Sequence, residues 1–214
     1  MLNISVIETG EYAVNTYLIE DCATGEAAVI DIGEYDASFD AFLRENGIKE
    51  LKYILLTHGH FDHICGAYPL KKAYGGLLAV HEADADCLED EDCSLASAVR
   101  SYKQTVTTAD IRLKDKDTLM LGETSISVMH TPGHTRGSIM FFADDYIFSG
   151  DTLFKLSMGR TDLPGGSTKT LFKSLREIGQ LSGEYDIYPG HGEPTTLSFE
   201  KRYNRYLRAN VSSD

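Results

Sequence analysis

The chain alternates short apolar runs with amphipathic stretches, and the period of each run assigns most of the elements. Apolar or alternating runs at 2–8, 14–20, 27–31 and 51–57 predict four strands. Between the last two, Phe39, Phe42 and Leu43 recur at helical spacing over 36–46, and Gly47 follows as a C-cap. Asp62 is placed to cap a second helix reaching about Tyr74, ended by Gly75 and Gly76. Residues 77–80 read as a short strand, followed by an acidic helical stretch and a polar loop over 101–110. Three β-like runs follow near 117–121, 125–129 and 138–142, with a shorter one at 146–149. Ser167 or Thr168 caps a helix through Ile178, 186–188 is a brief strand, and 196–208 is helical. No low-complexity stretch, long linker or short repeat breaks this order. It predicts an α/β sandwich folding as one unit over 1–214, compatible with two pseudo-equivalent halves.

Polar motifs with metal-ligating side chains follow directly after several of these runs. Residues 51–56 lead to His58-Gly59-His60-Phe61-Asp62-His63, and 126–129 lead to Thr131-Pro132-Gly133-His134-Thr135. Residues 146–148 lead to Ser149-Gly150-Asp151-Thr152, and Ile187 and Tyr188 to Pro189-Gly190-His191-Gly192. A rigid sheet whose strand ends deliver ligands through Gly/Pro turns presents a site at one rim. His58 and His60 are two apart, so both rings of an extended segment point to the same side and can share one metal. Asp62 and His63, at the turn into a helix, face an adjacent position. Five imidazoles and two carboxylates exceed what one zinc ion uses and suit two. Such a pair, about 3.5–4 Å apart, makes hydroxide available at neutral pH for attack on a carbonyl carbon, so no serine or cysteine nucleophile is required. His81 and His130 lie outside these motifs and take ordinary structural roles.

Composition narrows the partners. With 20 Lys+Arg against 33 Asp+Glu, the formal charge of −13 argues against nucleic acid, whose phosphates need basic neutralisation. The acidic run Glu82, Asp84, Asp86, Glu89, Asp90, Glu91 and Asp92 reads as a solvated face. The first eight residues look like a strand rather than a signal peptide, and no apolar run approaches the roughly 18–20 residues that span a membrane. Cys22, Cys65, Cys87 and Cys93 have no CxxC spacing and no disulfide-framework density, so reduced thiols in the cytoplasm are expected. Cys65 is expected to pack as a small side chain in the first turn of its helix.

The order His58-Gly59-His60-Phe61-Asp62-His63, His134, Asp151, His191 resembles the metallo-β-lactamase superfamily over nearly the whole chain. That resemblance implies a four-layer αββα sandwich of two mixed sheets, with two divalent ions at the rim between them. It also implies the ligand sets: His58, His60 and His134 for one ion, Asp62, His63 and His191 for the other, and Asp151 bridging. Zn²⁺ is the expected metal, with Fe or Mn accepted by the same donors. Asp62 and Asp151 are then the carboxylates of the catalytic centre.

The segments Gly150-Asp151-Thr152-Leu153-Phe154, Gly159-Arg160-Thr161-Asp162 and Pro164-Gly165-Gly166 resemble the short glyoxalase II-like branch. That branch implies hydrolysis of S-(2-hydroxyacyl)glutathione, a small-molecule thioester, to a hydroxy acid and a free thiol. Full-length relatives carry a further C-terminal helical domain that helps hold glutathione, and it is expected to be missing here. Arg160 either holds a substrate carboxylate as a bidentate pair or bridges to Asp162, and Lys155 is a weaker candidate. A mononuclear-iron persulfide dioxygenase and a lactonase or small-ester hydrolase are the alternatives on the same scaffold.

Overall fold

Residues 1–100 and 104–211 are described in the computed structural model. Residues 101–103 of the expected polar loop lie outside them. Strands β1 (Leu2–Thr9), β2 (Val14–Asp21) and β3 (Ala27–Ile30) follow one another antiparallel. Helix α1 (Ala37–Glu45) then carries the chain over to β4 (Tyr53–Leu55), parallel to β3. Helices α2 (Phe61–Ile64) and α3 (Ala67–Tyr74) lead on to β5 (Leu77–His81), and β6 (Ile111–Leu113) completes a six-stranded sheet in sequence order. Parallel pairing demands such crossovers, which is why helices enter only after β3.

The second sheet begins with the antiparallel meander β7 (Thr118–Leu121), β8 (Thr124–His130), β9 (Ile139–Ala143) and β10 (Tyr146–Gly150). A small hairpin of β11 (Leu153–Phe154) and β12 (Ser157–Met158) and helix α4 (Thr168–Gln180) intervene. Strand β13 (Asp186–Pro189) returns parallel to β10, and β14 (Thr195–Thr196) closes the order β14-β13-β10-β9-β8-β7. Helices α5 (Leu197–Tyr203) and α6 (Arg205–Val211) follow.

Side-chain alternation along the strands stacks these pieces into four layers. On β2 and β3, Tyr17, Ile19, Ala28 and Ile30 join Ile126, Val128, Phe141 and Phe148 between the sheets. Their neighbours Leu18 and Val29 face outward onto Phe39 and Leu43 of α1 and Leu70 of α3. In the second sheet Met140, Ile147 and Ile187 pack outward on Leu171, Leu175 and Ile178 of α4. Helices thus cover the outer face of each sheet, giving the α/β, αββα sandwich that the resemblance implied.

Local departures have identifiable causes. The helix expected from Asp62 to Tyr74 is two helices: the first starts at Phe61 with His60 as N-cap, so Asp62 sits inside the first turn rather than capping it. The break falls at Cys65-Gly66, where a Cβ on Gly66 would stand 2.6 Å from Ile32 Cγ1. The helix expected over 196–208 divides at Asn204, whose backbone N–H still bonds to Glu200 O but whose ψ turns extended (114°), while its side-chain amide donates to Ser157 O and Glu200 Oε2. The acidic helical stretch is the short 3₁₀ turns Ala85–Leu88 and Ala96–Ala98. Ser167 is the N-cap of α4, accepting from Thr170 N.

Two expectations are corrected. Cys87 and Cys93 are joined in a disulfide, their Cα atoms 4.8 Å apart, whereas Cys22 and Cys65 are free. The turn at Ala85–Leu88 folds the chain back so that residues six apart meet, a spacing that a search for CxxC passes over. The acidic run is a solvated face except at Asp84, which is buried and fully bonded. No helix among the described residues is long and apolar enough to cross a membrane.

Candidate metal centre

Four strand ends meet at one rim of the sandwich. Strand β4 delivers residues 57–63, β8 leads to the loop of His134, β10 ends at Gly150 before Asp151, and β13 ends at Pro189 before His191. The His191 loop is tied to the first sheet: Asn15 Nδ2 donates to Pro189 O and Gly192 O (3.0 and 2.9 Å), and Tyr17 Oη donates to Pro189 O (2.6 Å). Gly190 has to be glycine, because a Cβ there would lie 2.3 Å from Asp151 Oδ1 and 2.7 Å from His63 Cε1.

All seven expected ligands come together. Their donor atoms form three groups, within each of which all lie inside 4.8 Å of one another: His58, His60 and His134; Asp62, His63 and His191; and His58, His63 and Asp151. His60 Nδ1 stands 2.9 Å from His134 Nε2, and His63 Nε2 stands 3.3 Å from His191 Nε2. Asp151 reaches both clusters, with Oδ1 3.5 Å from His63 Nε2 and Oδ2 3.7 Å from His134 Nε2 and 3.8 Å from His191 Nε2. His81 and His130 are elsewhere, stacked on each other with centroids 4.0 Å apart.

The far nitrogens of three imidazoles are already committed, which fixes where the lone pairs point. His63 Nδ1 donates to Asp31 Oδ2 (2.8 Å) and His134 Nδ1 donates to Arg160 O (2.8 Å). Thr57 Oγ1 gives its proton to Asp31 Oδ2 (2.7 Å) and so accepts from His58 Nδ1 (3.1 Å). Asp31 also takes the Thr57 amide (2.8 Å), bonds that hold its backbone at a left-handed φ of 54°.

The site fits divalent cations on its own chemistry. Among the described residues, His58 Nε2 and Asp151 Oδ1 are the buried side-chain atoms without a hydrogen-bond partner, and both face this cluster. Buried polar atoms are seldom left unpaired. Burial, reinforced by the neighbouring imidazoles, holds His58 well below the ordinary histidine range and His60 at about 3, so both rings are neutral and ready to ligate. Burial alone would also lower His63, but the carboxylates of Asp31, Asp151 and Asp62 outweigh it and raise that ring to about 10. Burial works against ionisation of Asp62 too, yet His63 and His191 keep its pKa below the ordinary carboxylate range.

Arg160 is bidentate on Asp162 (Nε–Oδ1 and Nη2–Oδ2, each 2.8 Å), and Lys155 pairs with Glu193. Three further contributors escaped the sequence reading. Asp31 could have been found as a carboxylate directly ending an apolar strand. Asp84, hidden in an acidic run, accepts from Gly59 N (2.9 Å), Thr135 Oγ1 (2.6 Å) and Gly137 N (2.7 Å), tying the His58–His63 loop to the His134 loop. Asn15 carried no local signal.

A profile of the Metallo-beta-lactamase superfamily matches residues 9–191. An uncharacterized protein of Mycobacterium leprae is 36% identical, covering 95% of this chain and 98% of its own. The hydroxyacylglutathione hydrolase GloC of Haemophilus influenzae is 33% identical over 97% of this chain and 99% of its own. Among solved structures, the BLEG-1 B3 metallo-beta-lactamase superposes with a TM-score of 0.88 at 31% identity, covering 97% and 99% of the two chains. The protein TTHA1623 in a di-iron-bound form gives 0.82 at 33%, covering 94% and 99%. ETHE1 from Myxococcus xanthus gives 0.79 at 26%, covering 98% and 90%.

Proposed function

The chain belongs to the metallo-β-lactamase superfamily, and we propose that within it this protein is a two-metal thioester hydrolase acting on S-(2-hydroxyacyl)glutathione or a related thiol conjugate. The observation that carries the two-metal reading is the double ligand cluster spanned by Asp151. Support for the thioester comes from the similarity to GloC, which runs the length of both chains.

In this reading His58, His60 and His134 would hold one ion and Asp62, His63 and His191 the other, with Asp151 available to both sets. When bound, the two ions, Zn²⁺ in the first instance with Fe or Mn as alternatives, supply a nucleophilic hydroxide at neutral pH and Lewis acidity toward a carbonyl. The protein does the positioning. Asp31, Thr57 and the Arg160 carbonyl aim three imidazole lone pairs inward. Asp62 and Asp151 are the catalytic carboxylates: Asp62 Oδ2 is held ionised beside His191 Nε2 at 3.4 Å, the form in which it would ligate and position an ion. A thiolate, from a thiol of pKa about 8.5, is a leaving group that departs without help from a strong acid.

The substrate is a small soluble molecule, with no nucleic acid or membrane required. The reading puts the protein in the cytoplasm beside that substrate, where the Cys87–Cys93 bond would meet reducing thiols. The test is turnover of S-lactoylglutathione by protein loaded separately with Zn, Fe and Mn, beside simple lactones and glutathione persulfide. Thioester loss without O₂ uptake is the expected result. O₂ consumption on the persulfide with one iron per chain, or turnover confined to lactones, moves the function to the corresponding alternative.

A further inference from the structure

A cavity of about 200 Å³ opens beside the ligand cluster, smaller than the roughly 300 Å³ at which drug-sized ligand pockets begin. It therefore suits one arm of a substrate. His60 lines it, the Cys87–Cys93 disulfide and Pro164 give it apolar walls, and Arg136 borders it with Gly165. The other charged side chain on this wall, Asp84, has its oxygens already occupied by Gly59, Thr135 and Gly137.

Arg136 differs from the other cations near the site. Arg160 and Lys155 are neutralised by Asp162 and Glu193. The Arg136 guanidinium has no ion pair or side-chain hydrogen bond with any described residue, in a chain that carries 33 acidic side chains. Its backbone, in contrast, is pinned. Gly137 N donates to Asp84 Oδ1 (2.7 Å), and His130 Nε2 donates to Arg136 O (2.9 Å). The stem runs over Gly165, where an added Cβ would meet Arg136 Cγ at 3.8 Å. An arginine with a pinned backbone and a free planar fork, beside a pocket that the candidate ligand His60 also lines, is arranged to receive a carboxylate as a bidentate pair.

We propose that Arg136 binds the carboxylate of the substrate's thiol arm in this pocket, so that the site selects anionic thiol conjugates, glutathione's among them, over neutral ones. This rests on the thioester reading for its chemistry but is tested apart from it. With S-lactoylglutathione, Arg136→Gln should raise KM about ten- to hundredfold, the worth of a lost charge-assisted pair, with kcat within about twofold. With the S-lactoyl thioester of neutral N-acetylcysteamine, both parameters should stay near those of the native protein. Arg136→Lys, which keeps the charge and loses the fork, should fall between.

Binding of glutathione itself to the zinc-loaded protein, followed by calorimetry, needs no turnover and should weaken by a similar factor in Arg136→Gln. Equal binding by both proteins, or none by the native protein, overturns the proposal. So does an equal KM rise on both thioesters, or a larger rise from Arg160→Gln than from Arg136→Gln. If no thioester is turned over, the proposed reaction fails, while the calorimetric contrast still decides the role of Arg136.

Discussion

Asp84→Ala removes a single carboxylate that joins the two loops carrying most of the first ligand set. Its oxygens accept from Gly59 N at 2.9 Å, Thr135 Oγ1 at 2.6 Å and Gly137 N at 2.7 Å, all buried. Hydrogen bonds to a charged group contribute about 1.5–3 kcal/mol each, but the three share one acceptor and part of their value offsets the cost of burying it. The truncation also strands the Gly59 and Gly137 amides, although the cavity that Asp84 borders lets water replace part of what is lost. The expected loss is about 3–5 kcal/mol, a large share of the 5–15 kcal/mol typical of a folded domain. Urea unfolding of the metal-free protein measures it without contribution from bound ions, as a lower midpoint at unchanged slope. Hydrogen exchange at the Gly59 and Gly137 amides should accelerate by more than at β-strand amides of the same sheets. Asp84→Asn, which keeps one acceptor oxygen, should lose less. A loss below about 1 kcal/mol for the alanine variant, with both amides still protected, would show that the loops hold their shape without this carboxylate.

His58→Ala should lose bound metal and hydrolytic activity together, and full activity with two metals per chain refutes its assignment as a ligand. Metal uptake should release at least one proton per chain near pH 7.5, read from calorimetry in buffers of different ionisation enthalpy. The source is His63, which in the metal-free fold keeps its proton until pH climbs through about 10. Apparent metal affinity should therefore rise with pH, and the stability that His63 gives the metal-free fold, complete below about pH 6.5, should be lost as pH passes 10. A pH-independent affinity would contradict this. Cys93→Ser opens a six-residue separation and should cost about 2 kcal/mol on the loop-entropy estimate, seen as a lower melting temperature that dithiothreitol no longer changes.

The sequence made the donor atoms legible because metal ligation imposes spacing: two histidines on one face of an extended segment, then a turn that redirects Asp62 and His63. Apolar periodicity likewise placed the long strands, whose inward and outward residues separate cleanly between the two sides of each sheet. What escaped was set by contacts between distant segments. Asp84 looks like its acidic neighbours until the His134 loop is folded against it, and Asn15 meets its partners in the His191 loop some 174 residues away. Cys87 and Cys93 meet through a short 3₁₀ turn that apolar periodicity does not signal. Arg160 shows the opposite limit. Its neighbour Asp162 was visible in the sequence, but only the folded loop shows both guanidinium bonds committed to it.

The most direct test of the two-metal account is metal content per chain measured beside S-lactoylglutathione hydrolysis in the native protein and in Asp151→Ala. The account predicts two ions and thioester turnover in the native chain, with both falling sharply once the carboxylate shared by the two clusters is gone. One ion per active native chain, or two ions retained with undiminished turnover after Asp151→Ala, would contradict it.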